Sequence, residues 1–201
     1  VTGFPQTATI NNDEVDYGDV IDLGASFYST TLANNGARHN TVLGFHLGAA
    51  IDGDLDGQPN ITATGDDNDA DGDDEDGVAL PILIKGTTAN ITVTASAPGL
   101  LNAWVDFDAN FSWNDAGNQV FTNFPLMTGV NNISFAVPVA ASATSSTGAR
   151  FRFSSVGGLS YTGSAVDGEV EDYMVSIIDN VFSIDNPSVA EGNAGTANLV
   201  Y

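Results

Sequence analysis

The stretch ARFRFSS, Ala149–Ser155, alternates between aromatic and basic side chains. Successive side chains of an extended strand point to opposite faces of a sheet, so Phe151 and Phe153 fall on one face and Arg150 and Arg152 on the other. This period of two is typical of a β-strand and not of a helix. We therefore predict a strand with one apolar face.

Five further runs have the composition of strands. They are rich in β-branched and aromatic residues, and Gly, Asn and Pro separate them. No window with helical periodicity and good capping residues competes with them. Their spacing predicts an all-β fold, namely an antiparallel β-sandwich of the jelly-roll or immunoglobulin-like type with an acidic, loop-rich N-terminal segment. The five runs occupy residues 80–86, 90–97, 101–107, 131–139 and 171–178.

Three parts are predicted along the chain. Residues 1–78 form an N-terminal segment that carries acidic loops and packs on the sandwich. Residues 79–179 form the sandwich itself. Residues 180–201 form a tail with two short apolar runs.

The composition limits the partners that can be expected. Of the 201 residues, 26 are acidic and four are basic, which gives a net charge of −22. Nucleic acids and anionic membrane surfaces require positive patches, so neither is an expected partner. The chain has no cysteine, which excludes disulfides and thiolate metal sites. No apolar run approaches the ~18 residues that predict a membrane span.

Eleven of the acidic residues lie within residues 52–76, which we call the acidic window, and the pattern D-x-D-x-D-G occurs there twice. This pattern is the first half of an EF-hand-type loop, in which alternate carboxylates converge on Ca²⁺ and the glycine allows a sharp turn. Ala63 and Val78 occupy the places of the bidentate glutamate at position 12, so acids from elsewhere would have to close each loop. The alternative is a solvated acidic linker. The candidate ligands in this window are Asp52, Asp54, Asp56, Asp67, Asp69, Asp71, Asp73, Glu75 and Asp76.

A third candidate calcium loop follows the predicted strand around Trp104. Its oxygen-bearing residues again alternate, although Phe111 stands where such a loop usually has glycine. The alternative is an acidic hairpin loop in which Phe111 and Trp113 cover the edge of the sandwich. The candidate ligands are Asp106, Asp108, Asn110 and Asp115.

The strand predicted near Val170 is unusually acidic. Period two places Glu169 and Glu171 on one face, and Val170 and Asp172 on the other. Cross-strand ion pairs with the arginines at 150 and 152 could offset this charge. A calcium ion shared with the acidic loops could also do so. Glu169, Glu171 and Asp172 are therefore candidate ligands as well.

The stretch GEVEDY, Gly168–Tyr173, resembles the signature of the GEVED domain family of bacterial secreted and cell-surface proteins. The resemblance extends over roughly residues 13–178. It implies an extracellular β-sandwich module, often found beside adhesion-type repeats, with no known catalytic activity. The family pattern has a glycine and a glutamate where this chain has Phe111 and Asn118. The other stretches that fit in order are DYGD at 16–19, NNGARH at 34–39, DGQPN at 56–60, DDEDGV at 73–78, LLNAWVDF at 100–107 and ARFRFSS at 149–155.

The tail, Val181–Tyr201, resembles the first strands of a Calx-beta repeat. Such a repeat needs more residues than follow here, which leaves two interpretations. The tail is the beginning of a repeat in a larger protein, or it is a strand donated to a neighbouring subunit.

The sequence does not predict an enzyme. His39 and His46 are the only histidines, and each is expected to be packed and hydrogen-bonded. There is no G-x-S-x-G elbow, phosphate loop or H-E-x-x-H motif. We expect a calcium-stabilised, extracellular structural module of a bacterial surface, adhesive or filament-forming protein, which binds Ca²⁺ and associates with itself or with neighbouring modules. The alternative is a carbohydrate-binding sandwich, in which exposed faces of Trp104 and Trp113 would stack on sugar rings.

Overall fold

The computed structural model describes residues 14–24, 26–51, 53–65 and 75–180. These residues form short β-strands, together with one 3-10 turn at Leu32–Asn34. The all-β prediction is therefore confirmed. The strands are β1 (Val15–Tyr17), β2 (Arg38–Asn40), β3 (Val78–Ala79), β4 (Leu83–Ile84), β5 (Thr88–Ala95), β6 (Gly99–Val105), β7 (Gln119–Leu126), β8 (Gly129–Ala136), β9 (Thr144–Ser154), β10 (Ser164–Ala165) and β11 (Glu169–Ile178).

Two sheets form the predicted sandwich. One has five strands in the order β4-β11-β9-β6-β7, and the other has three in the order β3-β5-β8. The pairing is antiparallel in both sheets except between β4 and β11. A further small sheet, β1-β2-β10, is formed mainly by the N-terminal residues.

The main hydrophobic core lies between the two large sheets. Strand β5 buries alternate residues, including Ile91 and Val93, and β9 buries Phe151 and Phe153 completely. The two phenylalanines thus take the core-facing orientation that the alternation of 149–155 predicts. This burial of apolar surface is the main favourable contribution to folding.

A second, smaller core covers the outer face of the five-stranded sheet. Trp104 of β6 packs there with Val20, Tyr28, Ala63 and Trp113. Residues from the N-terminal segment therefore form a layer over this sheet face. The predicted boundaries at residues 78 and 179 stay predictions, although β3 begins at 78 and β11 ends at 178.

Candidate functional site

The outer face of the five-stranded sheet carries a buried ion pair. Arg150 on β9 and Asp172 on β11 are register partners with no exposed surface. Arg150 donates from Nε to Oδ1 of Asp172 at 2.7 Å and from Nη2 to Oδ2 at 2.6 Å. Its Nη1 donates to the carbonyl oxygens of Ser29 and Tyr161 at 2.8 and 2.9 Å. A cross-strand ion pair, one of the two alternatives considered for this strand, thus forms at Asp172 and engages both of its carboxylate oxygens.

Arg152 lies on the same face but binds neutral acceptors. Its Nε donates to Nε2 of His39 at 2.9 Å. Its terminal nitrogens donate to the carbonyl oxygens of Ser160, Thr162 and Gly163 at 2.6 to 2.9 Å. Burial, as the largest cause, lowers the pKa of Arg152 to about 9. The guanidinium group therefore anchors the loop before β10 to the sheet.

His39 is fully buried, and both of its ring nitrogens are engaged. Because Nε2 accepts from Arg152, the ring proton lies on Nδ1, which donates to the carbonyl oxygen of Asp167 at 2.7 Å. Burial first, and then the charge of Arg152, hold the pKa of His39 well below its usual value. The histidine links β2 to the turn that precedes β11.

The two glutamates of the GEVEDY stretch lie on the opposite face. Glu169 and Glu171 pair in register with Phe153 and Phe151, so they share the face that is turned toward the main core. Both are buried. The arginines of β9 point to the other side of the sheet and cannot offset this charge by direct contact. Backbone N–H groups donate hydrogen bonds to the two glutamates instead.

Those donors come from the two flanks of the acidic window. The Leu47 N–H, which precedes residues 52–76, donates to Oε2 of Glu169. The Gly77 N–H, which follows them, donates to Oε1 of Glu171 at 2.7 Å. A Cβ at position 77 would lie 2.5 Å from Cβ of Leu47 and 2.6 Å from the backbone nitrogen of Gly48, so the close approach of the two flanks needs glycine. The glutamates of β11 therefore bind the backbone on both flanks of the acidic window.

Further contacts close the base of the acidic window. The Ala49 N–H donates to Oδ1 of Asp76 at 2.8 Å, which joins the two flanks directly. The Val78 N–H donates to the Tyr173 hydroxyl at 3.1 Å, and that hydroxyl donates to Oε2 of Glu171 at 3.2 Å. Burial and then the charge of Glu171 raise the pKa of Tyr173. The tyrosine remains a neutral donor to the glutamate.

The structure places only some of the other candidates in the acidic window. Oδ1 of Asp54 accepts from the Gln58 side chain at 2.8 Å, and Oδ1 of Asp56 accepts from the Leu32 N–H at 2.6 Å. Glu75 adds to the negative field around the Tyr173 hydroxyl. The remaining candidates lie outside the described residues, and their ligand roles stay predictions. They are Asp52, Asp67, Asp69, Asp71 and Asp73.

The third candidate loop is organised around the buried carboxylate of Asp106. This group accepts from the Tyr28 hydroxyl at 2.7 Å and from the N–H groups of Phe111, Asp108 and Asn110 at 2.8, 3.2 and 3.4 Å. Phe111 has a φ of 67° in the place of the usual glycine. Asp106 thus caps its own loop with protein donors.

The rest of the third loop is also held by side-chain hydrogen bonds. Asn118 accepts from the Phe107 N–H at 3.2 Å and donates to the Ser112 carbonyl oxygen at 3.0 Å. The Asn110 amide donates to Asp115 at 3.1 Å. A metal ligand role for these residues stays a prediction.

The candidate ligands do not converge on one point within the described residues. Across residues 14–24, 26–51, 53–65 and 75–180, no group of three His, Asp or Glu side chains is arranged to hold a metal ion. Glu171 accepts from the Gly77 N–H and the Tyr173 hydroxyl, and the charge of Glu75 also acts on that hydroxyl, at the base of the acidic window. The third loop belongs to the outer-face layer instead, through the contact of Asp106 with Tyr28.

Sequence reasoning missed three aspartates near the N-terminus that organise the loops. Asp16 accepts from the Val170 N–H at 2.6 Å, and Asp19 accepts from the Gly65 N–H at 2.6 Å. Asp22 accepts from three backbone N–H groups and two side chains. Burial opposes ionisation of Asp22, but these hydrogen bonds outweigh it and lower its pKa. Asp16 and Asp19 carried one signal, since they lie in the DYGD stretch of the family resemblance, whereas Asp22 was indicated only by its position among turn-forming residues.

Both tryptophans are buried. Trp113 is 2% exposed, because Tyr28 stacks on its ring at a centroid distance of 4.2 Å and the Arg150 guanidinium lies 4.4 Å from the ring centroid. Trp104 is 4% exposed and meets Tyr161 edge to face. A sugar binder of the kind considered above needs an exposed ring face, and neither tryptophan provides one.

A comparison with family models supports the resemblance drawn from the sequence. The model of the GEVED domain matches residues 100–176, which run from β6 into β11 and include the GEVEDY stretch. No curated protein matches the chain. The resemblance of residues 181–201 to a Calx-beta repeat lies outside the described residues and stays a prediction. Within the described ranges, no helix is long and apolar enough to cross a membrane.

Proposed function

We propose that this chain is a structural module of a secreted or cell-surface bacterial protein, in which calcium ions stabilise the acidic N-terminal segment on a β-sandwich. One observation carries the proposal. Glu169 and Glu171 bind the backbone at Leu47 and Gly77, the two flanks of the acidic window. The strand that bears the GEVEDY stretch thus closes an acidic loop at its base.

The charge of that loop is the reason to invoke a divalent cation. Eleven acids lie within residues 52–76, and the Ala49 N–H on the preceding flank donates to Asp76, the last residue of this window. Two like charges 4 Å apart repel by ~1 kcal/mol in water and several-fold more near a protein surface. Ca²⁺ accepts six to eight oxygen ligands and tolerates irregular geometry, so it suits a loop rich in carboxylates.

The remaining features favour a structural role over catalysis. Among the described residues, His39 is bound between Arg152 and the Asp167 carbonyl group, and Nδ1 of His46 contacts the Leu47 carbonyl oxygen at 2.7 Å. The buried charges of β9 and β11 hold loops in place. Extracellular calcium modules commonly bind at 10⁻⁴–10⁻³ M, which fits a secreted or surface location.

Assembly with neighbouring modules is part of the same proposal. The tail at 181–201 has apolar runs suited to strand donation or to the start of a following repeat. Either arrangement would place this module within a larger surface or filament structure.

The test is thermal and denaturant unfolding with calcium and with a chelator, at matched ionic strength. Ligand at a hundredfold excess over its Kd should stabilise the native state by about 2.7 kcal/mol. The Glu171→Gln variant should weaken calcium binding in calorimetry, whereas Asp179→Asn, at an exposed acid remote from the window, should not. Identical unfolding curves with and without calcium would refute the proposal. Unchanged calcium affinity in Glu171→Gln would limit Glu171 to holding the Gly77 backbone.

A further inference from the structure

Strand β8 forms a long open edge of the three-stranded sheet. All eight of its residues, Gly129–Ala136, pair in unbroken register with β5 on one side. On its other side no strand of the described residues pairs with it, because β8 is the last strand in the order β3-β5-β8. Such an edge presents a row of backbone N–H and C=O groups that can pair with another strand.

The other sheet edges among the described strands are short or interrupted. Strands β3 and β4 have two residues each. Strand β7 contains Pro125, and its pairing with β6 shows two register irregularities. Prolines, bulges, short lengths and charges are the usual means by which proteins protect sheet edges. Strand β8 has none of them, since its sequence GVNNISFA lacks both charge and proline.

The β8 edge also lies in a part of the sequence without charged residues. Residues 86–105 and 116–149 contain no charged side chain in a protein whose net charge is −22. The acidic window leads directly into β3, which lies on the far side of β5 from β8. Strand β8 is therefore the edge of this sheet opposite the strand into which the acidic window leads.

Exposed apolar side chains accompany the edge. Val130 within β8 is 66% exposed, and Met127 and Val139 on either side of the strand are 67% and 78% exposed. Neutral residues occupy the rest of the exposed face, where Asn132 and Ser134 alternate with the inward-facing positions. A partner at this edge would meet a flat, neutral and partly apolar strand.

We propose that β8 pairs antiparallel with β8 of a second copy of this chain about a two-fold axis. The two copies would form one continuous sheet in the order β3-β5-β8-β8-β5-β3. An antiparallel pair of identical strands meets the requirement of a two-fold interface, in which the same patch is used on both subunits. The arrangement also leaves the two β3 strands, which directly follow the acidic window in the chain, at opposite ends of the joined sheet. A basic partner would be drawn to the acidic window instead, so the neutral edge fits a neutral strand such as β8 itself.

Sedimentation velocity of the full chain, over a wide range of concentration and in salt that screens the net charge, tests the proposal. The native chain should form a dimer. The double variants Asn132→Lys/Ser134→Lys and Asn132→Glu/Ser134→Glu should each lose it, because like charges would face each other across the axis. Mixing the two variants should restore a dimer that contains one copy of each. Recovery on mixing also shows that both variants are folded.

The matched control places the same charges one strand inward. Thr88→Lys/Asn90→Lys alters exposed residues of β5 on the same sheet face and should keep the dimer. A native chain that stays monomeric at every concentration would overturn the proposal. It would also fail if the β5 variant lost the dimer while the β8 variants kept it, because the faces and not the edges would then be in contact. Concentration-dependent protection from deuterium exchange at residues 181–201 together with 129–136 would identify the tail as the strand that occupies the edge. That result would also overturn the proposal.

Discussion

Arg150 shows how a single side chain connects the two layers of the outer face. Its guanidinium group binds Asp172 on the neighbouring strand, the Ser29 carbonyl oxygen in the N-terminal layer and the Tyr161 carbonyl oxygen in the loop before β10. Its planar face also lies on the ring of Trp113. Every part of the side chain is thus engaged, which is what allows an arginine to be buried there.

Removing one partner of this ion pair should be strongly destabilising. Asp172→Ala would leave Arg150 as a buried, uncompensated charge, and such changes typically cost about 3–5 kcal/mol. The exposed pair between Lys85 and Asp179, at 2.8 Å, provides the comparison. Asp179→Ala should change stability by less than about 1 kcal/mol. Chemical denaturation of the two variants measures both values, and similar losses in both would contradict the argument.

At the scale of elements, Gly168 determines how β11 begins. Its φ of 92° lies in the left-handed region, and a Cβ there would overlap the backbone carbonyl group of Phe153. The glycine therefore allows the chain to turn sharply and enter β11 directly beside β9. Glu169 and Glu171 reach the flanks of the acidic window only because the strand starts in this register.

Gly117 and Gly168 have similar φ angles, but only Gly168 lies close to the backbone of another strand. Comparing their alanine variants therefore separates the stability cost of a steric clash from the cost of the left-handed conformation. Gly117 has a φ of 97° but has open space where a Cβ would be placed. Gly117→Ala should cost about 1–2 kcal/mol for the left-handed conformation alone. Gly168→Ala should cost more, because the backbone of β9 must also move. Equal losses in the two variants, measured by urea unfolding, would show that the contact with Phe153 is unimportant.

The sequence predicts elements better than it predicts the contacts between them. The alternation of residues 149–155 correctly assigns Phe151 to the core face and Arg150 to the other. It cannot give the register with the next strand, and that register decides which acid meets which arginine. Asp172, and neither GEVEDY glutamate, faces Arg150 because it lies directly opposite on β11.

The role of the loop carboxylates could not be predicted from the sequence, for a different physical reason. Asp106 lies in a pattern of alternating acids that resembles a calcium loop, yet its carboxylate binds N–H groups of its own loop and the Tyr28 hydroxyl. A carboxylate that caps a loop and one that binds a cation have the same local sequence. The distant partner, 78 positions away in the case of Tyr28, cannot be predicted from that local sequence.

At the scale of the whole molecule, most of the acidic residues and the uncharged strands lie in different parts of the chain. The acidic window joins the sandwich at β3 and at the start of β11, whereas β5 to β8 contain no charged residue in their strands. The buried charges between these regions are matched by ion pairs and backbone hydrogen bonds. Stability should therefore depend on pH through a small number of buried groups as well as through the net charge.

His39 is the buried group whose ordinary pKa, about 6.5, lies closest to neutral pH. Arg152 faces one nitrogen and the Asp167 carbonyl group the other, while Asp16 lies opposite on β1 and Arg38 adjoins in β2. Because burial and Arg152 lower its pKa in the native state, the unfolded chain takes up a proton near the ordinary value of 6.5 that the native state excludes. The stabilising contribution is thus complete above pH 6.5 and is lost as the pH falls below it. The limiting slope for one proton is about 1.4 kcal/mol per pH unit.

The His39→Gln variant should remove this slope, because glutamine can accept from the Arg152 guanidinium but does not titrate. Unfolding free energies of both proteins, measured from pH 7 down to about 4.5, should converge as the pH falls. That range stays above the region where Asp22 and Asp167 protonate, since hydrogen bonds hold the pKa of each below 3.8 despite burial. The changing net charge affects both proteins alike, so the difference between them isolates the histidine. Parallel curves would show that His39 gains its proton in the native state as readily as in the unfolded chain, and would contradict its neutral, Arg152-bound role.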